Sequence, residues 1–236
     1  MSRRIEVVLV DVGNTSVKSA EVINQNIKEE KRWDSLSDLK KAYPPDVPFC
    51  ICNTGKEELD FGNRQIKFVS YKSQLPLKLD YKTPETLGAD RIAAAVGCFE
   101  LFPNRNSLLI DIGTCMTIDV ISKEGVFEGG IISPGFRMRM KSMAASTVNL
   151  PDISDEWGDV EKSNVGKTTK ECILNGAYFG IIREINSTIA EFEREFPFIN
   201  VILSGGDAHH FESNIKADIF TGSKIVLTGL YRIWKA

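Results

Sequence analysis

Two short stretches about a hundred residues apart share one pattern and constrain the fold more than any other part of the chain. The first, residues 9–18, reads Leu-Val-Asp-Val-Gly-Asn-Thr-Ser-Val-Lys, and the second, residues 109–117, reads Leu-Ile-Asp-Ile-Gly-Thr-Cys-Met-Thr. In each, an apolar run rich in β-branched residues predicts a buried strand, and the residues after the acid predict a tight hairpin. Because a repeat at this separation indicates related halves, these two acidic hairpins predict an internal duplication.

Each acidic hairpin has the chemistry of a phosphate clamp. Gly13 or Gly113 lets the backbone approach a ligand closely, and the N–H groups and hydroxyls that follow donate to phosphate oxygens. Asp11 or Asp111 holds a hydrated cation. For either stretch alone an ordinary hairpin with turn-favouring glycine and asparagine stays open. The pair together favours the clamp, because an Asp at the end of a buried strand needs a partner.

Composition and charge narrow the class of protein and its partners. The 236 residues are 42% hydrophobic and 26% charged with a net charge of −3, as in an ordinary globular protein, so neither nucleic acid nor a membrane surface is expected as a partner. The length predicts one or two domains with a substantial core. No apolar run could span a bilayer, and Glu6 and Asp11 interrupt the run after the basic residues 1–4. A cytoplasmic location is therefore expected.

The cysteines and histidines favour structural roles. Cysteines occur at positions 50, 52, 98, 115 and 172, an odd number without paired CxxC spacing, which predicts reduced thiols rather than a disulfide framework. A metal site at Cys50 and Cys52 is one interpretation, but their run with Phe49 and Ile51 favours a buried strand. The adjacent residues 209 and 210, both His, do not support a zinc site.

Another group of candidate residues lies at a predicted helix start. Residues 81–91 lead directly into 92–99, a helix of small residues that can pack closely, so Gly88, Asp90 and Arg91 fall at its entry. One interpretation is an Asp cap beside a solvated Arg. The other is that Asp90 accepts a hydroxyl proton while Arg91 or nearby N–H groups hold an anionic substrate. Both interpretations stay open at this point.

The rest of the chain is predicted as alternating strands and helices. Residues 103–106 form the best linker, which sets a domain boundary between residues 1–104 and 105–236. Three glycines and a proline in 129–135 predict a loop rather than a regular element. Further predictions are a helix at 35–41 capped by Ser35, strands at 47–53 and 66–69, helices at 136–145, 169–186 and 186–196, and a strand at 201–203 before a double-glycine turn, 204–208, suited to a nucleoside.

The two hairpins, residues 88–91, residues 129–135 and the 204–208 turn together resemble the type III pantothenate kinases, of the actin-like, sugar-kinase and Hsp70 superfamily, over nearly the whole chain. The resemblance implies an α/β fold made of two similar ribonuclease-H-like domains, as in actin-like ATPases, with ATP between them. It also implies transfer of the γ-phosphoryl group of ATP to the primary hydroxyl of pantothenate, the first step toward coenzyme A. Cys115 departs from the pattern, since many relatives have Ala there.

The resemblance also implies roles for individual residues. Asp90 is the catalytic proton acceptor, and Asp111 is a ligand of a monovalent cation, potassium or ammonium. Asp11 lies near the Mg²⁺ that accompanies ATP, the 204–208 turn touches the adenosine, and the family's homodimers complete the pantothenate pocket with the partner subunit. The implied ATP-binding residues are Asp11, Val12, Gly13, Asn14, Thr15, Ser16, Val17, Lys18 and Thr114, and the implied substrate-binding residues are Tyr81, Gly88, Ala89, Asp90, Arg91 and Thr169.

Two other functions share part of this pattern. A non-catalytic nucleotide-binding regulatory protein of the same fold would need the phosphate loops but would bind ATP without turnover. A sugar kinase or phosphatase of the same superfamily would share the loops without needing Tyr81 or residues 88–91. The presence of Asp90 and Arg91 beside the nucleotide loops favours the pantothenate kinase.

Overall fold

The computed structural model of the protein describes residues 4–55, 60–159, 162–222 and 224–236. Residues 1–3, part of the basic N terminus considered above, lie outside the described residues. The strands are β1 (Val7–Val12), β2 (Val17–Ile23), β3 (Asn26–Ile27), β4 (Lys31–Trp33), β5 (Phe49–Asn53), β6 (Ile66–Phe68), β7 (Lys78–Leu79), β8 (Ser107–Ile112), β9 (Cys115–Ile121), β10 (Val126–Pro134), β11 (Asn200–Ser204) and β12 (Ile219–Thr221). The helices are α1 (Leu36–Ala42), α2 (Ala89–Leu101), α3 (Phe136–Ala145), α4 (Thr169–Glu195) and α5 (Ile225–Trp234).

The chain divides into two compact units. The first comprises residues 1–105, 121–129 and 224–236, and the second comprises residues 106–120 and 130–223. The C-terminal helix α5 therefore belongs to the same unit as β1. The predicted domain boundary after residue 104 stays a prediction.

In the first unit β1 is the central strand of a mixed sheet with the order β3-β2-β1-β5-β6. β1 pairs antiparallel with β2 and parallel with β5, and β5 pairs parallel with β6. Val8 and Val10 pack with Leu39, Phe49 and Ile51 in one core cluster. Apolar residues at every position from 7 to 10 are fully buried, as expected for a central strand that is covered on both faces.

The second unit repeats this strand order. Read from β10, its sheet has the order β10-β9-β8-β11-β12. β8 is parallel to β11, and β11 is parallel to β12. Numbered along the chain within each sheet, and leaving out β4 and β7, both sheets have the order 3-2-1-4-5. The two acidic hairpins connect strands 1 and 2 of their respective sheets, so the predicted duplication is confirmed.

Two predictions of secondary structure are wrong, namely one loop and one interruption between two helices. Residues 129–135, predicted as a loop, mostly belong to β10, because a neighbouring strand passes so close that only glycine fits: a Cβ on Gly130 would lie 2.1 Å from the Ile118 carbonyl oxygen. The helices predicted at 169–186 and 186–196 are the single helix α4. Asn186 does not end it, because its amide instead bonds outward, donating to the Asn214 carbonyl at 3.0 Å and accepting from the Lys216 N–H at 2.8 Å.

Several local predictions are confirmed. Ser35 caps α1 by accepting a hydrogen bond from the Asp38 N–H at 3.1 Å, and α3 spans the predicted residues 136–145. Cys50 and Cys52 lie fully buried in β5. No helix in the described part of the chain is long and apolar enough to cross a membrane.

Within the first unit, α2 and α5 make an unusually close helix–helix contact. A Cβ added to Gly97 of α2 would lie 2.0 Å from the Ile225 carbonyl oxygen, and one added to Gly229 of α5 would lie 1.8 Å from the Ala93 carbonyl oxygen. The two helix backbones therefore touch at a pair of glycines, which explains why the sequence of α2 is rich in small residues. This contact fixes the helix whose first turn contains Asp90.

Candidate active site

The first acidic hairpin presents a short, exposed turn at the end of β1. Gly13 N–H donates to the Ser16 carbonyl at 3.0 Å, which closes the turn. Asn14 and Thr15, at its tip, are exposed. Asp11 lies just before the turn, half-buried at the end of the strand. The turn therefore leaves its polar side chains accessible to a ligand while the acid is held by the sheet.

The Asp11 carboxylate has charged and polar neighbours. In the sheet, Asp11 lies opposite Lys18 of β2 and Cys52 of β5. The Cys52 thiol donates to Asp11 Oδ1 at 3.2 Å. Burial is the main cause that raises the pKa of Asp11, the Cys52 hydrogen bond and Lys18 lower it, and the carboxylates of Asp90 and Glu30 raise it. Asp90, predicted to be catalytic, thus lies within electrostatic range of Asp11.

The Cys52 thiol keeps its proton at neutral pH. Burial, followed by the charge of Asp11, raises the pKa of Cys52 well above its usual value. The sulfur is therefore the donor in its contact with Asp11. The sequence indicated only that Cys52 was a core residue, because nothing in a linear pattern shows that β5 and β1 are neighbours.

The residues after β5 complete the first hairpin and were missed from the sequence. Thr54 donates to the Val12 carbonyl from its N–H at 2.9 Å and from its hydroxyl at 3.3 Å. Gly55 N–H donates to Asn53 Oδ1 at 2.9 Å, and a Cβ on Gly55 would lie 3.2 Å from the Gly13 carbonyl oxygen. The signal was a strand followed by Asn-Thr-Gly, which resembles the pattern of the acidic hairpins themselves.

Asp90 lies in the first turn of α2 but does not cap it. The N-cap residue is Gly88, and it makes no side-chain cap hydrogen bond. Asp90 Oδ1 accepts from the Arg91 N–H at 2.8 Å. A Cβ on Gly88 would lie 2.5 Å from Asp90 Oδ1, so the glycine allows the carboxylate to fold toward the helix start. The cap interpretation of Asp90 is therefore wrong.

Arg91 is a buried cation surrounded by aromatic rings. Only 7% of its surface is exposed, so the alternative of a solvated arginine is also wrong. Its guanidinium carbon lies 5.9 Å from the ring centroid of Tyr81 and 5.6 Å from that of Phe127. A Cβ on Gly129 would lie 3.9 Å from the Tyr81 ring. The structure thus brings two predicted substrate residues, Tyr81 and Arg91, into one cluster of the first unit.

The second acidic hairpin has a similar arrangement in the second unit. Asp111 lies near the end of β8, half-buried and opposite Ser204 of β11. Gly113 N–H donates to the Cys115 carbonyl at 3.0 Å, closing a turn at whose tip Thr114 is exposed. The acid again precedes an open turn, as in the first hairpin.

Two later glycines hold the backbone of this second turn. Gly135 N–H donates to the Thr114 carbonyl at 3.1 Å, and a Cβ on Gly135 would lie 2.5 Å from that oxygen. Gly205 has a φ of 100°, and a Cβ added to it would lie 2.3 Å from the Ile112 carbonyl oxygen. Asp207 N–H donates to the same carbonyl at 3.0 Å. The 204–208 turn thus lies against the second hairpin, beside Asp111.

The last predicted substrate residue, Thr169, is the exposed first residue of α4. Its neighbour Thr168 caps the helix by accepting from the Glu171 N–H at 3.2 Å. Thr169 belongs to the second unit together with Asp111 and Thr114. The other predicted site residues belong to the first unit.

The surroundings of the two acids bear on how a cation that accompanies a nucleotide would be held. No group of three or more His, Cys, Asp or Glu side chains in the described ranges is arranged to hold a metal ion. Mg²⁺ is, however, commonly held by one or two carboxylates together with substrate phosphates. The negative charge that Asp90 and Glu30 add around Asp11 suits a divalent cation there. Asp111, half-buried near the end of β8, presents a carboxylate beside the open turn of the second hairpin.

Solved structures of other proteins share this fold. The activator of the 2-hydroxyisocaproyl-CoA dehydratase from Clostridium difficile, with bound ADPNP, matches with a TM-score of 0.57 and 15% identity over 97% of this chain and 94% of that chain. MreB 5 of Spiroplasma citri, bound to AMPPNP, matches with a TM-score of 0.50 and 12% identity over 97% and 96%. Together with the repeated strand order, these matches confirm the duplicated ribonuclease-H-like, actin-like fold.

Sequence comparison identifies a narrower group within this fold. The model of the type III pantothenate kinase family matches residues 53–191. The curated type III pantothenate kinase of Cytophaga hutchinsonii is 38% identical over 231 residues, which cover 96% of this chain and 97% of that protein. Similarity of this extent goes beyond a shared fold, and the chain belongs to the type III pantothenate kinase family.

Proposed function

We propose that this protein transfers the γ-phosphoryl group of ATP to the primary hydroxyl of pantothenate, giving 4′-phosphopantothenate in the first step of coenzyme A biosynthesis. Family membership supports the reaction and both substrates. The observation that carries the proposal is the proximity of two acids in different roles. Burial is the main cause that raises the pKa of Asp11, and the Asp90 carboxylate lies close enough to add to that rise. An acid that receives the alcohol proton must lie beside the acid that serves the phosphates.

The first hairpin supplies positioning and charge stabilisation. Phosphoryl transfer passes through a loose transition state, so the protein mainly orients the reactants and neutralises charge on the γ-phosphoryl oxygens. The exposed residues Asn14 and Thr15 and the backbone N–H groups of the turn are the donors to those oxygens. Lys18, opposite Asp11 in the sheet, adds a positive charge at the same end of β1. Each such donor contributes up to about 3–4 kcal/mol in a site that excludes water.

Asp90 acts as the general base. A primary alcohol is too weak an acid to ionise before attack, so its proton moves to Asp90 as the new P–O bond forms. The Arg91 N–H donates to Asp90 Oδ1, which holds the carboxylate at the start of α2. Arg91 itself, with Tyr81, forms the part of the pocket that binds the anionic substrate.

Cations complete the charge balance. Asp11 would hold Mg²⁺ together with the ATP phosphates, and Mg²⁺ when bound neutralises charge on the transferring group. Asp111 would hold potassium or ammonium, which cancels a further negative charge. Thr114, at the tip of the second turn, contacts ATP, and the 204–208 turn that lies against this hairpin contacts the adenosine.

The function is tested by measuring ADP release with pantothenate and with a panel of sugars and other alcohols. We expect turnover with pantothenate and none with sugars. Turnover with a sugar alone would identify a different kinase of the same superfamily. ATP binding without turnover on any alcohol would indicate the non-catalytic regulatory protein, which no specific observation favours.

Monovalent cations are expected to affect the rate through Asp111. ADP release should be faster in potassium or ammonium chloride than in sodium chloride at equal ionic strength, because the proposal assigns potassium or ammonium to Asp111. In Asp111→Asn the difference between potassium and sodium should disappear, since the ligand has lost its charge. Equal rates of the unchanged protein in potassium and sodium would contradict the role of Asp111.

A homodimer is part of the proposal. The second half of β10 is exposed, with Ile131 at 42% and Ile132 at 59% exposure. Successive strand residues point to opposite faces, so both faces of this end of the strand present an apolar side chain to solvent. A second copy of the chain is the occupant that the family resemblance implies, and apolar side chains at a strand end suit a self-complementary contact.

The Ile132→Lys variant is expected to dissociate the dimer, because a charge would be buried in the interface. Light scattering after gel filtration should give twice the chain mass of 26.3 kDa for the unchanged protein and the single mass for the variant. Leu101→Lys, at a position of similar exposure in the first unit, should leave the dimer intact. A dimeric Ile132→Lys protein would show that the contact lies elsewhere.

The cysteines support a cytoplasmic location. All five are free thiols, and three of them, Cys50, Cys52 and Cys98, are buried. Reduced thiols of this kind are usual in a reducing compartment. We place the proposed reaction there for that reason.

A further inference from the structure

We propose that Cys52 is a positioning residue of the active site, whose thiol orients the Asp11 carboxylate through an S–H···O hydrogen bond. The Sγ–Oδ1 distance is 3.2 Å. The inference rests on the proposed function, because it matters only if Asp11 serves the metal–nucleotide complex. It goes beyond that function by giving a core cysteine a part in how tightly the complex binds.

The geometry gives Cys52 a fixed position relative to Asp11. β5 runs parallel to β1, and Cys52 is the register partner of Asp11. The cysteine is fully buried, with 0% exposure. A thiol has one proton to donate, and its short side chain has a single rotatable bond to the backbone. The donor is therefore held by the sheet rather than by solvent.

The charges around Asp11 do not by themselves fix its orientation. Lys18 attracts the carboxylate from β2, on the other side of β1, while Asp90 repels it. Lys18 also lies 3.9 Å from Glu30, so its charge is shared. A neutral donor on the β5 side holds one carboxylate oxygen without adding charge. Groups that hold a metal ligand in this way typically affect metal affinity about 10–100-fold.

Cys50 provides a matched control within the same strand. It lies two residues before Cys52, so the two side chains point to the same face of the sheet. It is also fully buried, and its thiol donates to the Leu230 carbonyl at 3.4 Å. That acceptor is a backbone group of α5 rather than a candidate active-site residue. Cys50→Ala therefore removes the same atom and the same kind of bond without touching Asp11.

The test is calorimetric binding of ATP to the full chain, with Mg²⁺ and with EDTA. We expect Cys52→Ala to bind MgATP about tenfold more weakly, the lower end of the range for such groups because a thiol is a weak donor. Binding of metal-free ATP should change much less. Cys52→Ser, which keeps a donor, should restore most of the MgATP affinity, and Cys50→Ala should match the unchanged protein.

Two results would overturn the inference. One is MgATP binding by folded Cys52→Ala that equals that of the unchanged protein or of Cys50→Ala. The other is a folded Cys52→Ser protein that binds ATP no more tightly with Mg²⁺ than with EDTA. This second result can be obtained even if Cys52→Ala does not fold. Failure of the proposed function is a separate result, since the unchanged protein would then show no turnover with pantothenate.

Discussion

The Asp90→Asn variant is expected to phosphorylate pantothenate about 10²–10⁴ times more slowly than the unchanged protein while still binding MgATP. The amide has the shape of the carboxylate but cannot accept the alcohol proton. Asp11, and not Asp90, is the acid assigned to Mg²⁺, so the substitution leaves the proposed metal ligand in place and the variant should still bind MgATP. Measurements of kcat by ADP release and of MgATP affinity by calorimetry separate the two effects.

Glu85→Gln is the control for Asp90→Asn. Glu85 is an exposed acid in the turn that precedes α2, so its substitution removes the same charge near the same helix without changing the proposed base. Its kcat should equal that of the unchanged protein. If Asp90→Asn retained full turnover, or if Glu85→Gln lost as much, the proton-accepting role of Asp90 would have to be abandoned.

The strands and turns around the candidate site that the sequence predicted correctly are local. In each acidic hairpin the buried strand, the acid and the turn glycine are contiguous, so one pattern specifies the strand end and the turn. The start of α2 could also be predicted from a contiguous pattern, since Gly88 and Asp90 are close in sequence. Repetition of the hairpin then predicted two related sheets, because the same local pattern favours the same surroundings.

The contacts that hold these turns are tertiary and could not be found in that way. Val12 accepts from Thr54, and Ile112 accepts from Asp207, at equivalent places in the two sheets. Both bonds depend on a parallel strand that arrives some forty or ninety residues later in the chain, as the numbering shows. The contact of Cys52 with Asp11 likewise depends on the parallel pairing of β5 with β1. Strand pairing decides which core residue lies beside an acid, and composition does not.

Tertiary packing also overrode two local signals. Glycine and proline in residues 129–135 indicate a loop when read alone, yet Gly130 is required by the close approach of the strand that contains Ile118. Asn186 has a low helix propensity, but its side-chain bonds to Asn214 and Lys216 make it compatible with the middle of α4. In each case a tertiary contact, and not the local secondary-structure propensity, explains why the residue occupies that position.

The Gly229→Ala variant is expected to lower the free energy of unfolding by about 3 kcal/mol, the upper part of the range for overpacking. An added Cβ would lie 1.8 Å from the Ala93 carbonyl oxygen, and backbone cannot rotate out of the way as a side chain can. α2 and α5 must move apart, which also displaces the first turn of α2 with Asp90. For a chain of this size the melting temperature should fall by roughly 6–12 °C, measured by calorimetry or circular dichroism.

Gly176→Ala, at an exposed position in the second turn of α4, should change the free energy of unfolding in the opposite direction. A Cβ there meets nothing within 4 Å, and alanine in a helix interior is favoured over glycine by about 1 kcal/mol. The two variants make the same chemical change in two helices, so propensity alone predicts that both are stabilising. Only the contact between the backbones of α2 and α5 separates them. If Gly229→Ala were as stable as Gly176→Ala, α2 would be held by other contacts, and the position of Asp90 would not depend on the C-terminal helix.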